Sequence, residues 1–201
     1  MSGSWQFYRF DYNRYLDLRP ALRAAEQPED FRAISENPLT ETIVEALHAE
    51  ELDAGSARNA FVQAVCFSGD PLLLDPGLLR IVARLSHARG TEDLGEQLEG
   101  LLGGSVNLES WMLPSTALPV TLLGFLTPQQ TRTLYETYGS VFRTGGKGRP
   151  RRRRGGLIGK VGAFWRQLLT LELKPEESLS LLGELIADAT ERNEGIAVST
   201  G

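Results

Sequence analysis

The chain has 201 residues, 41% of them hydrophobic, which is enough to bury the core of one domain, and no stretch is apolar and unbroken enough to span a membrane. A single cysteine, Cys66, excludes an intramolecular disulfide and points to a reducing compartment, the cytoplasm. The formal charge of −5 hides an asymmetry: residues 143–166 hold nine Lys/Arg and no Asp/Glu, leaving an acidic remainder with a net of −14.

The opening "MSGSWQFYRFDY" has no apolar run of signal-peptide length, with Arg9 and Asp11 standing where one would lie, so secretion is not expected. Six of the sixteen aromatic residues fall at Trp5, Phe7, Tyr8, Phe10, Tyr12 and Tyr15, and their density and rough alternation predict a strand over 4–10. The following "YLDLRPALRAAEQPED" reads as short helical pieces broken at Pro20 and Pro28. Leu39, Ile43, Val44 and Leu47 recur at helical spacing and predict a helix over 39–52. A second helix, over 56–67, carries Phe61, Val62 and Val65 as its apolar stripe, with Gly69 as its stop.

Asp75-Pro76 is a cap and first-turn pair for a helix through Leu78, Leu79, Val82 and Leu85 toward His87. Thr91 opens a short acidic helix through Leu94, Leu98 and Leu101, ended by Gly103-Gly104. Residues 107–126 are apolar but broken by proline, and read as a loop followed by an extended piece or a helical turn. Thr127-Pro128-Gln129-Gln130 forms a capping box, which starts a helix running to about residue 138. A helix over 158–171 has Val161, Phe164, Trp165, Leu168 and Leu169 on one side. Pro175, Glu176 and Glu177 open the last helix, whose stripe is Leu179, Leu182, Leu185, Ile186 and Ala189, with Glu184, Asp188 and Glu191 opposite. "GIAVST" closes the chain as a strand. A strand at each end of a helical middle predicts a predominantly helical α+β domain whose N- and C-terminal strands pair in one small sheet.

Catalytic signatures are absent or incomplete. A nucleotide-phosphate loop needs Gly, four residues, then Gly-Lys-Ser/Thr, whereas "RGGLIGKV" has Arg154 at the first place and Val161 at the last. Glu45 and His48 have the spacing that di-iron bundles use, but His87, the other histidine, is preceded by Arg84 at the equivalent position, so the pair reads as a helix edge. Two histidines and one cysteine make no convincing zinc set, and no cofactor is implied. Cys66, among Val62, Val65 and Phe67, reads as a buried thiol rather than a nucleophile. The N-terminal aromatics, interleaved with Arg9 and Arg14, read as a core strand in preference to a stacking platform for bases.

The basic run is the candidate site. Lys147, Arg149, Arg151, Arg152, Arg153 and Arg154 are bracketed by Gly145-Gly146 and Gly155-Gly156, with Lys160 just beyond. Like charges and glycines predict an extended segment, which is either a solvated insertion between two core helices or a hand for phosphates; anionic lipid is a further target, with Phe164 and Trp165 behind the run.

The order of signals resembles the YfbM-like proteins, a bacterial family of uncharacterised cytosolic proteins. The resemblance rests on the strand "WQFYRF", the helix ending "NAFVQAVCFSGDPLL", the segment "FLTPQQTRTLYETY" and the final helix leading into "GIAVST". Phe61 and Val65 stand about where that family has a tryptophan and a histidine, Ser68 precedes Gly69-Asp70, and the arginine run is outside the pattern. The resemblance implies an α+β fold and no reaction. Together with the acidic body, these signals lead to the expectation of a non-enzymatic protein that engages a protein partner, with nucleic-acid binding through residues 147–160 as the alternative.

Overall fold

A computed structural model of the chain describes residues 5–34, 38–74, 96, 109, 111, 121–143 and 175–200. Among them, β1 (Trp5–Phe10) leads into four helices, α1 (Tyr12–Ala24), α2 (Pro28–Ile34), α3 (Pro38–His48) and α4 (Ala54–Cys66), and then into β2 (Phe67–Leu74). Further along come β3 (Thr121–Leu126), α5 (Pro128–Arg143), α6 (Pro175–Glu191) and β4 (Gly195–Thr200). The helices expected around 75–87 and 158–171 lie outside the described residues, as does the one around 91–101 except for Glu96, which is helical.

The strands form one antiparallel sheet in the order β2-β1-β4-β3, so the two ends of the chain pair at its centre as expected, from Trp5 opposite Thr200 to Phe10 opposite Gly195. Central strands bury both faces, and the sequences reflect this. On β4, Ile196 and Val198 point to one face and Ala197 to the other; on β1, Phe7 and Phe10 divide in the same way. One face packs on α5 and α6 through Phe7, Leu134, Tyr138, Phe142, Leu179, Leu182, Ile186 and Val198. The opposite face packs on α1–α4 through Phe10, Tyr15, Phe31, Val44, Phe61, Val62, Phe125 and Ala197. Phe10 is the hub of this second core, with its ring 4.9 Å from Phe125, 5.6 Å from Tyr15 and 5.9 Å from Phe67. Phe7, Phe10 and Tyr15 are therefore core, with Trp5, Tyr8 and Tyr12 half-buried, and offset or edge contacts between such rings add about 0.5–1.5 kcal/mol each beyond burial.

The outer strands carry the irregularities that an edge tolerates. In β2, Gly69, Asp70 and Pro71 together face the single residue Tyr8. Gly69 takes φ +79°, and Pro71, which has no N–H to give a ladder, is acceptable only on such an edge. The expected stop at Gly69 is thus a correction: α4 ends at Cys66 and the chain enters a strand directly, with the bulge inside it. The extended alternative for residues 107–126 is realised at Thr121–Leu126.

Local signals set most helix ends. Thr127 N donates to Gln130 Oε1 (2.9 Å) and Gln130 N donates to Thr127 Oγ1 (3.3 Å), which is the expected capping box. The helix it starts runs to Arg143, longer than expected, because Phe142 still has α6 to pack against. At Pro20 the expected break does not occur: α1 continues through it to Ala24. Pro20 lies on the exposed side, where a carbonyl left without its helical donor faces water, while Tyr15 and Leu22 hold the buried side. Arg58 of α4 then donates through Nε and Nη2 to Ala25 O (3.0 and 2.8 Å), tying the end of α1 to the helix beneath it.

Candidate functional site

Lys147, Arg149, Arg151, Arg152, Arg153, Arg154 and Lys160 lie outside the described residues. Within them, the most unusual concentration of charge is acidic. Residues 26–53 contain nine Asp/Glu and a single Arg, and eight of the nine are described and exposed: Glu26, Glu29, Asp30, Glu41, Glu45, Glu50, Glu51 and Asp53.

Amphipathic patterning places them there. On α2, Pro28 and Phe31 turn inward, leaving Glu29, Asp30 and Arg32 outside; on α3, Ile43 and Val44 turn inward, leaving Glu41 and Glu45 outside, one turn apart. Three of the carboxylates have structural employment. Asp30 Oδ2 accepts from Glu26 N and Gln27 N, both at 2.9 Å, and these bonds hold its carboxyl below the ordinary range. Asp53 caps α4, accepting from Ser56 N (2.8 Å) and Ser56 Oγ (3.0 Å), and its carboxyl is lowered chiefly by the backbone bond. Glu41 pairs with Arg32 at 2.7 Å, which lowers the Glu41 carboxyl, and Glu29 and Glu45 also act on that guanidinium.

Some of the group stand where charge costs stability. Glu41 and Glu45 are a like-charged pair at i,i+4. Glu50 and Glu51 follow the C-terminal end of α3, where the helix dipole disfavours negative charge. Glu50 further occupies the left-handed region at φ 60°, the closing turn being made by Glu51 N to Ala46 O (2.9 Å) and Glu50 N to Leu47 O (3.2 Å). Among the described residues, no side-chain partner compensates Glu50 or Glu51.

Two further assemblies are built around arginine. Arg9 Nη1 lies 3.2 Å from Asp188 Oδ2 and 3.5 Å from Glu194 Oε2, and Glu194 Oε2 also accepts from Ser68 Oγ at 3.3 Å. Asp188 is therefore no merely solvent-facing residue, as the helical pattern of α6 suggested. On α1, Tyr15, Arg19 and Arg23 converge on Glu109: Oε1 accepts from the Tyr15 hydroxyl at 3.3 Å and lies 2.6 Å from Arg19 Nη2, while Oε2 accepts from Arg23 Nη2. Burial above all, with the nearby Glu109 charge, pushes the Tyr15 hydroxyl well above its ordinary value. Neither assembly is visible in the sequence, because each joins residues far apart in the chain; the acidic concentration is, because a charge count over residues 26–53 finds it.

Glu45 and His48 both lie exposed on α3, and no group of three or more His, Cys, Asp or Glu among the described residues is placed to hold a metal. Cys66 is buried in the α1–α4 core and its thiol is pushed up to about 12 by that burial. No helix among the described residues is long and apolar enough to cross a membrane. No protein-family model, curated protein or solved structure matches the chain.

Proposed function

We propose that the chain acts by binding and that the acidic helix pair α2–α3 engages the basic surface of a protein partner, in the manner of an adaptor or a neutraliser. The observation that carries this reading is the group of eight exposed carboxylates with one arginine among them, two of which, Glu50 and Glu51, sit at the unfavourable end of the α3 dipole with no side-chain partner among the described residues. Such a surface repels nucleic acid and steers a cationic partner into register. We also propose a cytoplasmic setting, supported by a single cysteine kept buried and protonated, and kinship with the YfbM-like proteins, supported by the order of strand, helices and closing strand.

The test is affinity capture at physiological salt by the whole chain and by a variant carrying Glu29→Gln, Glu41→Gln, Glu45→Gln and Glu51→Gln. A basic protein held by the wild type and lost by the variant is the expected result. Recovery of no partner by the wild type sinks the proposal.

The alternative, phosphate-backbone binding through residues 147–160, is favoured by one feature, the nine Lys/Arg without Asp/Glu in residues 143–166. Its signature is binding to labelled single-stranded or duplex nucleic acid that weakens steeply with salt and is abolished when Arg151, Arg152, Arg153 and Arg154 are changed to alanine.

A further inference from the structure

Tyr15, Arg19 and Arg23 stand at i, i+4 and i+8 on α1, so they form one stripe along the helix, and all three direct donors to the same carboxylate. Glu109, which fills the stripe, comes from 86 positions beyond Arg23.

Three features separate this arrangement from an ordinary ion pair. Among the described residues, two guanidinium groups meet one carboxylate, which leaves a positive charge in excess. The carboxylate is enclosed, its side chain 13% exposed, while those of Arg19 and Arg23 reach solvent at 37% and 53%. Donors also outnumber acceptors: Arg19 Nε is enclosed and has no acceptor among the described residues. Surplus positive charge, converging N–H and O–H donors and a shortage of acceptors are the chemistry of an anion receptor.

We propose that Tyr15, Arg19 and Arg23 form a receptor for a small carboxylate, that Glu109 is its built-in occupant, and that a carboxylate from solvent can take its place. The space available fixes the size of the ligand. It must fit where the end of one glutamate side chain now sits, which selects a small aliphatic acid over a bulky one. This site is on α1 and is independent of the acidic helix pair.

Glu109→Ala removes a CH₂COO⁻ unit, and acetate is that unit as a free ligand. The thermal midpoint of the Glu109→Ala chain is measured in sodium acetate and in sodium chloride at equal ionic strength. Because a ligand that binds only the folded state stabilises it by mass action, acetate is expected to raise the midpoint saturably and chloride to leave it behind. In the wild type, where Glu109 competes, the acetate effect needs at least a tenfold higher concentration. Adding Arg19→Ala and Arg23→Ala to the variant abolishes it. Equal midpoints in the two salts for Glu109→Ala, or an equal acetate gain without the arginines, overturns the proposal. Should Glu109→Ala fail to fold in chloride, Glu109→Gln keeps the side-chain volume and removes the charge. Its midpoint is then expected to rise with acetate at a lower concentration than in the wild type, and the absence of any acetate effect there overturns the proposal equally.

Discussion

Arg9, on a central strand, lies 3.2 Å through Nη1 from Asp188 Oδ2, near the end of the last helix, and so ties the first element of the chain to one of its last. Glu194, in the turn from α6 to β4, reaches the same Nη1 at 3.5 Å through Oε2. The turn is fixed by Glu194 N donating to Ala189 O (2.8 Å) and Asn193 N to Thr190 O (3.2 Å), with Asn193 in the left-handed region at φ 55°. The Arg9 side chain is only 16% exposed, so its charge is shielded less by water than that of a surface pair.

Replacing Arg9 therefore removes the charge that separates two carboxylates. Arg9→Met is expected to lower stability by about 2 kcal/mol, between the small worth of exposed pairs and the 3–5 kcal/mol of breaking a fully buried one. Arg9→Lys, which keeps the charge on a differently shaped head group, should fall between. Denaturant midpoints of the three proteins decide it, and a loss in Arg9→Met under roughly 0.5 kcal/mol would show that the cluster holds nothing together.

The contact between α5 and α6 sets packing against helix propensity. At Gly183 a Cβ would fall onto Phe142 Cβ and within 2.9 Å of its Cγ, whereas at Gly139 it would meet Tyr135 ring carbons at 3.6 Å and beyond. Alanine in place of glycine favours a helix by about 1 kcal/mol at either position, but overpacking costs roughly 1–3 kcal/mol. Gly183→Ala should therefore destabilise by up to about 2 kcal/mol, and Gly139→Ala should stabilise by up to about 1 kcal/mol. Two thermal melts check both signs, and the idea of a close helix approach fails if Gly183→Ala melts above the wild type.

Cys66 gives a pH dependence with a definite sign. Burial keeps its thiol neutral up to about 12, above the ordinary 9.0, so between those values the folded chain binds a proton that the unfolded chain has released. Stability is therefore retained below 9 and lost as the pH rises toward 12. The buried Tyr15 hydroxyl, also raised, adds to the same alkaline fall. Chemical denaturation at a series of alkaline pH values should show a shallower decline in Cys66→Ala than in the wild type. At pH 8 a thiol reagent should modify the native protein only as fast as it unfolds.

Much of this architecture is legible in the chain. Dense, roughly alternating aromatics at Trp5–Phe10, the closing "GIAVST" and the Thr127–Gln130 box each announce their element, because local sterics and hydrogen bonds decide them. What escapes is decided by neighbours. Pro20 stays in a helix because its exposed side allows it, and β2 accepts Gly69 and Pro71 because it lies at an edge, a position set by the rest of the sheet. Among charges, the acidic concentration at residues 26–53 can be counted in the sequence, whereas the meeting of Glu109 with α1 depends on where the chain returns.

Glu50 brings stability and binding into opposition in one residue. Its φ of 60° is a conformation that glycine adopts freely and a branched or charged side chain adopts at a cost, and its carboxylate stands at the unfavourable end of the α3 dipole. Glu50→Gly should relieve both and raise stability by about 1 kcal/mol, read as a higher denaturant midpoint with an unchanged slope. The same change removes one of eight exposed carboxylates from the proposed docking face, so affinity for a cationic partner should fall, and fall most at low salt, where unscreened charge matters most. A residue kept for the fold would lose stability on this substitution. A residue kept for recognition gains stability and loses the partner, and measuring both quantities on one variant separates the two.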